Sequence, residues 1–127
     1  MRPDDRRYSA THEWARPEQG TYVVGVSDFA VEQLGDLTYL KLPPVGRKVR
    51  GGESFGEIES VKAVSELYAP VAGTIVEVNA AAPDALELVR QDPFGTGWLL
   101  RIRPEAGDGG FGKLLTAQEY GETLETH

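Results

Sequence analysis

Lys62 stands beside the centre of a mirror in the chain. Reading outward from the pair Lys62-Ala63 within GEIESVKAVSELYAP (Gly56 to Pro70), Val61 matches Val64, Ser60 matches Ser65 and Glu59 matches Glu66. Such symmetry predicts a hairpin with a two-residue turn, because residues equidistant from the turn become cross-strand partners. The predicted register sets Glu59 opposite Glu66, a like-charge pair that weakens the ladder. Lys62-Ala63 also lacks the asparagine or glycine that a primed turn favours, so ease of turning does not account for the residues at the tip. A lysine in a turn is ordinarily just solvated. Here the small apolar neighbours Val61 and Ala63 leave the amine accessible, which suits its presentation to other proteins.

Other residue types that do chemistry give weaker signals. His12-Glu13-Trp14 sets a base, an acid and a large ring side by side. On a strand such neighbours point to opposite faces, so His12 and Glu13 are expected not to cooperate. No serine has a base and an orienting group in a recognisable constellation, which argues against a nucleophilic triad. The chain has no cysteine, which excludes disulfides, thiolate metal sites and a cysteine nucleophile and fits a reducing compartment. Its two histidines, His12 and His127, are far apart, so a histidine-rich metal site is not expected. GDGGFGKL, Gly107 to Leu114, matches phosphate-loop spacing through Gly112 and Lys113, but Leu114 stands where a magnesium-binding hydroxyl is needed. That motif also requires a βαβ setting, so the stretch reads as a loop before the last helix.

Mostly β elements must position these residues. Thr21 to Val26 and Leu37 to Leu42 read as short strands, with SDFAVEQLG between them as a small helix capped by Ser27 or Asp28 and ended by Gly35. After Pro43-Pro44 and Gly51-Gly52 come the mirrored strands from Ser54, then Thr74 to Val78. Pro83 to Arg90 predicts one or two helical turns, Asp92 to Gly95 a turn, and Trp98 to Ile102 a strand. Thr116 and Glu119 fit a capping box opening a C-terminal helix. The pattern predicts an antiparallel β architecture, closed or sandwiched, with short marginal helices. At 127 residues, one domain is the economical reading. Its core is expected over about residues 20–103, with an N-terminal segment 1–19 and a C-terminal helical segment 104–127 packed on it.

Composition narrows the function classes. Thirteen Lys and Arg are scattered among twenty Asp and Glu, a formal charge of −7, which argues against nucleic acid and favours basic protein partners. No apolar run approaches a membrane span, and MRPDDRRYS lacks the apolar core of a signal peptide, so a soluble intracellular protein is expected.

Four motifs in order carry a resemblance. ESVKA with its SELYAPV continuation, YSATHEW (Tyr8 to Trp14), VGVSDFAVEQLGDLTYLKLPPVG (Val24 to Gly46) and DPFGTGWLLRIRP (Asp92 to Pro104) together resemble the glycine cleavage system H protein family over nearly the whole chain. Glu105 to Gly112 is richer in glycine than the acidic helix usual there. The resemblance implies the barrel-sandwich hybrid of lipoyl and biotinyl domains, two small antiparallel sheets extended at both ends. It also implies that Lys62 carries lipoate in amide linkage, and that the chain is a non-catalytic carrier in the cytoplasm, or the mitochondrial matrix in a eukaryote. Its arm would collect an aminomethyl group from a pyridoxal-phosphate glycine decarboxylase and deliver it to a tetrahydrofolate-dependent aminomethyltransferase. A flavin dihydrolipoamide dehydrogenase would then reoxidise it. The lipoate-attaching enzyme is a further partner, and Glu59 and Glu66, flanking the lysine, are read as steering basic surfaces on that enzyme and on the decarboxylase. The rival readings are a lipoyl domain of a 2-oxo acid dehydrogenase, whose lysine usually follows aspartate where Val61 stands here, and a biotin carrier, whose lysine is flanked by methionines.

The cargo imposes a further demand. An amine on a carbon bearing sulfur has no lone pair to expel the thiolate while the nitrogen is protonated, so a safe carrier keeps that ammonium charged. Carboxylates and hydroxyls in a recess do so. The resemblance places the recess between the H-E-W segment, the helix ending in Leu34-Gly35 and the residues after the lysine. The matching positions are Thr11, Glu13, Gln33 and Glu66, with Glu13 the main ammonium partner.

Overall fold

A computed structural model describes residues 2–125; Met1, Thr126 and His127, the second histidine weighed above, lie outside the described residues. In chain order the strands are β1 (Arg7–Tyr8), β2 (Glu13–Glu18), β3 (Thr21–Val26), β4 (Leu37–Lys41), β5 (Lys48–Val49), β6 (Ser54–Ser60), β7 (Val64–Tyr68), β8 (Gly73–Val78) and β9 (Leu100–Arg103). They form one six-stranded sheet, ordered β1-β2-β3-β9-β8-β5, and one three-stranded sheet, ordered β4-β6-β7, antiparallel throughout. The expected pair of antiparallel sheets is therefore what the chain builds.

The alternation of side chains assigns the two cores. Val24, Ile75, Leu100 and Ile102 from the larger sheet meet Phe55, Ile58 and Leu67 from the smaller one. On the other face of the larger sheet, Tyr8, Trp14 and Val23 bury Tyr120 of the C-terminal helix α3 (Ala117–Glu125). β3 is covered from both sides, which is why TYVVGV reads as an unbroken apolar run and not an alternating one. Trp14 lies across from Gly25, and a Cβ added there would fall 2.5 Å from the indole. Gly25→Ala is accordingly expected to lower stability by about 2 kcal/mol, as overpacking of a full core does. Thermal unfolding against the parent chain checks it.

The helix α1 (Asp28–Leu34) forms as expected: Ser27 accepts the Ala30 N–H at 3.2 Å, and Gly35, at φ 78°, closes it with its N–H on the Val31 carbonyl. The predicted Pro83 to Arg90 turns are a 3-10 turn, Ala82–Asp84, and the helix α2 (Leu86–Gln91). The capping box is present, with Thr116 and Glu119 exchanging bonds of 2.9 and 3.1 Å.

Several expectations are corrected. Pairing in the lysine hairpin sets Glu59 opposite Val64, Ile58 opposite Ser65 and Glu57 opposite Glu66, two residues out of the mirror register. Four residues, Ser60 to Ala63, separate the last cross-strand pair, Glu59 and Val64, although Ser60 still pairs with Leu37 on β4. A primed two-residue turn demands positive φ at the first tip residue or at both, which Lys62 and Ala63 resist. Ser60 turns the chain instead: its N–H reaches the Ala63 carbonyl at 2.8 Å, and its hydroxyl accepts the amides of Lys62 and Ala63 at 3.3 and 3.1 Å. A slip of two leaves every side chain on its expected face, so the core pattern survives while the like-charge pair moves from Glu59 to Glu57.

The strand expected from Trp98 begins at Leu100, because the Trp98 amide closes the turn on Gly95 at 3.1 Å. The strand from Leu37 ends at Lys41. The GDGGFGKL stretch is a loop with a 3-10 turn, Phe111–Lys113, and its amides at Gly110 and Gly112 donate to the Asp108 carboxylate rather than to any phosphate.

Candidate functional site

Lys62 is exposed at the end of the β6–β7 hairpin. The tip is tied to the end of α1 by the Val61 N–H on the Asp36 carbonyl at 3.0 Å. Asp36 is in turn ion-paired with Arg90 of α2. The lysine stem runs past the helix cap: its Cε would lie 3.7 Å from a Cβ at Gly35. At this edge opens a cleft of about 440 Å³ between α1, the hairpin and the turn preceding β2. That volume lies in the range of small-molecule sites.

Thr11, Glu13, Gln33 and Glu66 all contribute to its lining. Glu13 is the most constrained. It is only 2% exposed. Its Oε1 accepts the hydroxyls of Ser9, at 2.9 Å, and of Thr11, and its Oε2 accepts the Tyr68 N–H at 3.1 Å. Burial nonetheless dominates those bonds and pushes the carboxyl up to about 7. A carboxylate offers about four acceptor positions. Three are filled, so one on Oε2 is left for a cationic donor.

Glu66 sits at the rim. Strand alternation turns its side chain to the outer face with Glu57, where the Tyr68 hydroxyl donates to it at 3.4 Å, while its neighbour Ser65 shares the inner face of Ile58 and Leu67. Glu59 stands on that outer face in a row with Tyr39 and Val64. The acids around the lysine thus divide, with Glu13 within the cleft, Glu66 at its rim, and Glu57 and Glu59 on the outer face away from it.

His12 departs from its expected place. It is not on the strand but in the turn before it, at φ 78°, and therefore lines the same cleft as Glu13. Phe29 also faces the cleft and meets the His12 ring at 4.8 Å between centroids. Ser9 is a further residue that sequence reasoning passed over; hydroxyls two and four residues before an acid were its only trace.

The glycine cleavage H-protein family model matches residues 6–127. The chain belongs to the glycine cleavage H-protein family. A glycine cleavage system H protein from Thermus thermophilus is 52% identical over 125 residues, 98% of this chain and 96% of its own length. A probable glycine cleavage system H protein from Natronomonas pharaonis is 51% identical over 118 residues, 93% of this chain and 92% of its own length. The crystal structure of a glycine cleavage system H protein from Mycobacterium marinum superposes with a TM-score of 0.88 at 47% identity, over 98% of this chain and 99% of that one. As a member of the glycine cleavage H-protein family the chain has the barrel-sandwich arrangement expected of it, and full-length matches of this kind do not favour a 2-oxo acid dehydrogenase lipoyl domain. No helix among the described residues is long and apolar enough to cross a membrane.

Proposed function

We propose that the chain is the lipoyl-bearing carrier of the glycine cleavage system, with lipoate attached in amide linkage to Lys62 and no catalysis of its own. The supporting observation is the exposed Lys62 at a tethered hairpin tip beside a cleft whose wall holds a buried carboxylate with one acceptor position left. The residues fit the group: an accessible amine on a rigid tip suits acylation, and the cleft at the lysine's edge has room for a folded arm. When attached, the lipoyl group would supply a cyclic disulfide whose S–S bond breaks as one sulfur takes the aminomethyl carbon and the other becomes a thiol; delivery of the cargo then leaves a dithiol to be reoxidised.

The rest falls to side chains. Glu13 accepts a charge-assisted hydrogen bond from the cargo's ammonium, and Thr11 and Ser9 hold the carboxylate in place. Gln33 lines the opposite wall on α1, and Glu66 adds negative potential at the rim. The aminomethyl group would be received from a pyridoxal-phosphate glycine decarboxylase and passed to a tetrahydrofolate-dependent aminomethyltransferase, with reoxidation by a flavin dihydrolipoamide dehydrogenase. The place of action would be the cytoplasm, or the mitochondrial matrix in a eukaryote.

Reconstitution tests this reading. The lipoylated chain is expected to support glycine-dependent exchange of bicarbonate into the glycine carboxyl with the decarboxylase, and to accept no acyl group from 2-oxo acid decarboxylases. Acylation by the latter without glycine exchange would overturn it. A second expectation concerns Glu59, on the outer face beside the tip. Glu59→Lys should slow association with the lipoate-attaching enzyme roughly threefold at low salt, with little change at high salt, as a steering charge does. Stopped-flow rates at two ionic strengths measure it; equal rates at low salt would remove Glu59 from that role.

A further inference from the structure

The buried network behind the cleft involves α3, which supplies none of the cleft residues named above. The Tyr120 hydroxyl lies 2.7 Å from His12 Nδ1 and 2.7 Å from Ser27 Oγ. Ser27 also accepts the Ala30 N–H that caps α1, and its own N–H donates to the His12 carbonyl at 2.9 Å. Ser27 and Tyr120 are both fully buried. The Tyr120 ring is already accommodated by its stack on Tyr8, at 4.8 Å and 7°. A phenylalanine would pack equally well there, yet the hydroxyl reaches two groups that shape the cleft: the imidazole in its wall and the cap of the helix along its side.

Counting protons orients the network. Each hydroxyl has one proton to donate. If Tyr120 donated to Ser27, the buried serine proton would be left without an acceptor in this chain of bonds, which a dry site disfavours. If Ser27 donates to Tyr120 and Tyr120 to His12 Nδ1, both hydroxyl protons are placed and Nδ1 is the acceptor, which puts the ring proton on Nε2. The bond to Nδ1 adds to the backbone pairs that hold His12 in its left-handed conformation, its N–H on the Ser9 carbonyl at 3.1 Å and its carbonyl accepting the Ser27 N–H at 2.9 Å.

We propose that Tyr120 is a positioning residue for the arm cleft: its hydroxyl makes the C-terminal helix part of the cleft's framework, fixing the orientation of His12 and the ring nitrogen that carries its proton. This rests on the reading that the loaded arm folds into the cleft, and the experiment separates the two. Tyr120→Phe keeps the ring stack and removes only the hydroxyl. In the unlipoylated chain, nitrogen-15 spectra of the His12 imidazole should show the Nε2–H tautomer in the parent and a mixture of tautomers in the variant.

In the lipoylated, loaded chain, formaldehyde release should rise about fivefold, the equivalent of one buried hydrogen bond. Leu124→Ala loosens the packing of α3 on the same cluster but removes no hydroxyl of the network and should change neither readout, whereas a merely structural role for Tyr120 would make the two variants alike. Ser27→Thr, which keeps the hydroxyl, should retain parent values, and Ser27→Ala, which leaves Tyr120 donating to His12 Nδ1, should retain the parent tautomer. His12→Asn tolerates the left-handed backbone and gives a second release measurement with the same expected rise. An unchanged tautomer, or an unchanged release rate from a parent that does protect its cargo, would overturn the role of Tyr120. A parent that releases cargo as fast as a short lipoyl-lysine peptide would instead overturn the cleft reading itself.

Discussion

Arginine at position 62 is expected to leave the fold intact and to take up no lipoate at all. The guanidinium keeps the positive charge but is never deprotonated under working conditions, so it cannot serve as the acyl-accepting amine. Lys62 is exposed at a loop tip, and substitutions at such positions ordinarily change stability by no more than about 0.5 kcal/mol. The other lysines offer no substitute: Lys41 lies on β4, Lys48 on β5 beside Glu105, and Lys113 in the 3-10 turn before α3. Intact-mass measurement after incubation with lipoate, ATP and a lipoate ligase, alongside thermal unfolding, reads both halves of the expectation. A lipoyl adduct on Lys62→Arg would show that attachment occurs elsewhere.

Glu13→Gln is expected to change two things in a way that depends on pH. The folded carboxyl sits at about 7, raised by burial from an ordinary value of 4.5, so the native state holds its proton longer than the unfolded chain does. Its contribution to stability is full below about 4.5, falls as pH rises toward 7, and is lost above that. The total swing is on the order of 3 kcal/mol at 1.36 kcal/mol per unit. Glutamine cannot ionise. Relative to the parent, the variant should therefore gain stability steadily between pH 4.5 and 7 and run parallel to it beyond, whatever fixed offset arises where its amide faces the Tyr68 N–H. Denaturant titrations across that window measure the slope.

The loaded chain should suffer in the opposite sense. Without a carboxylate beside it the cargo's ammonium loses its proton more readily, and each unit by which its pKa falls raises the fraction of unprotected amine about tenfold. Lipoylation of Glu13→Gln should be unaffected, while ammonia and formaldehyde appear about ten times faster near neutrality. Release at the parent rate throughout neutral pH would take Glu13 out of the protective role.

Much of this was legible in the sequence because the signals were local. Ser27 and Gly35 bracket α1 with a cap and a left-handed close, and Thr116 with Glu119 announces α3, so these elements fall where their chemistry puts them. The hairpin was legible in kind but not in register: the mirror about Lys62-Ala63 is a pattern of side chains, whereas the turn is decided by backbone angles and by the Ser60 hydroxyl. β1 and β5, two residues each, are too short to show any periodicity. The cleft was placed by resemblance and not by spacing. Nothing local shows that Glu13, Phe29 and the Tyr68 amide converge across the chain, nor that a left-handed turn at His12 brings a base to the same recess. The network closed by Tyr120 joins residues more than ninety positions apart and leaves no sequence trace.

The most direct test is a single turnover followed by mass. The lipoylated chain is incubated with glycine and a pyridoxal-phosphate glycine decarboxylase, quenched, weighed intact and digested. One aminomethyl increment should appear only with glycine, only on lipoylated chain, and only on the fragment containing Lys62. A lipoylated chain that gains no glycine-dependent mass, or gains it on a fragment without Lys62, would contradict the carrier role assigned to this lysine.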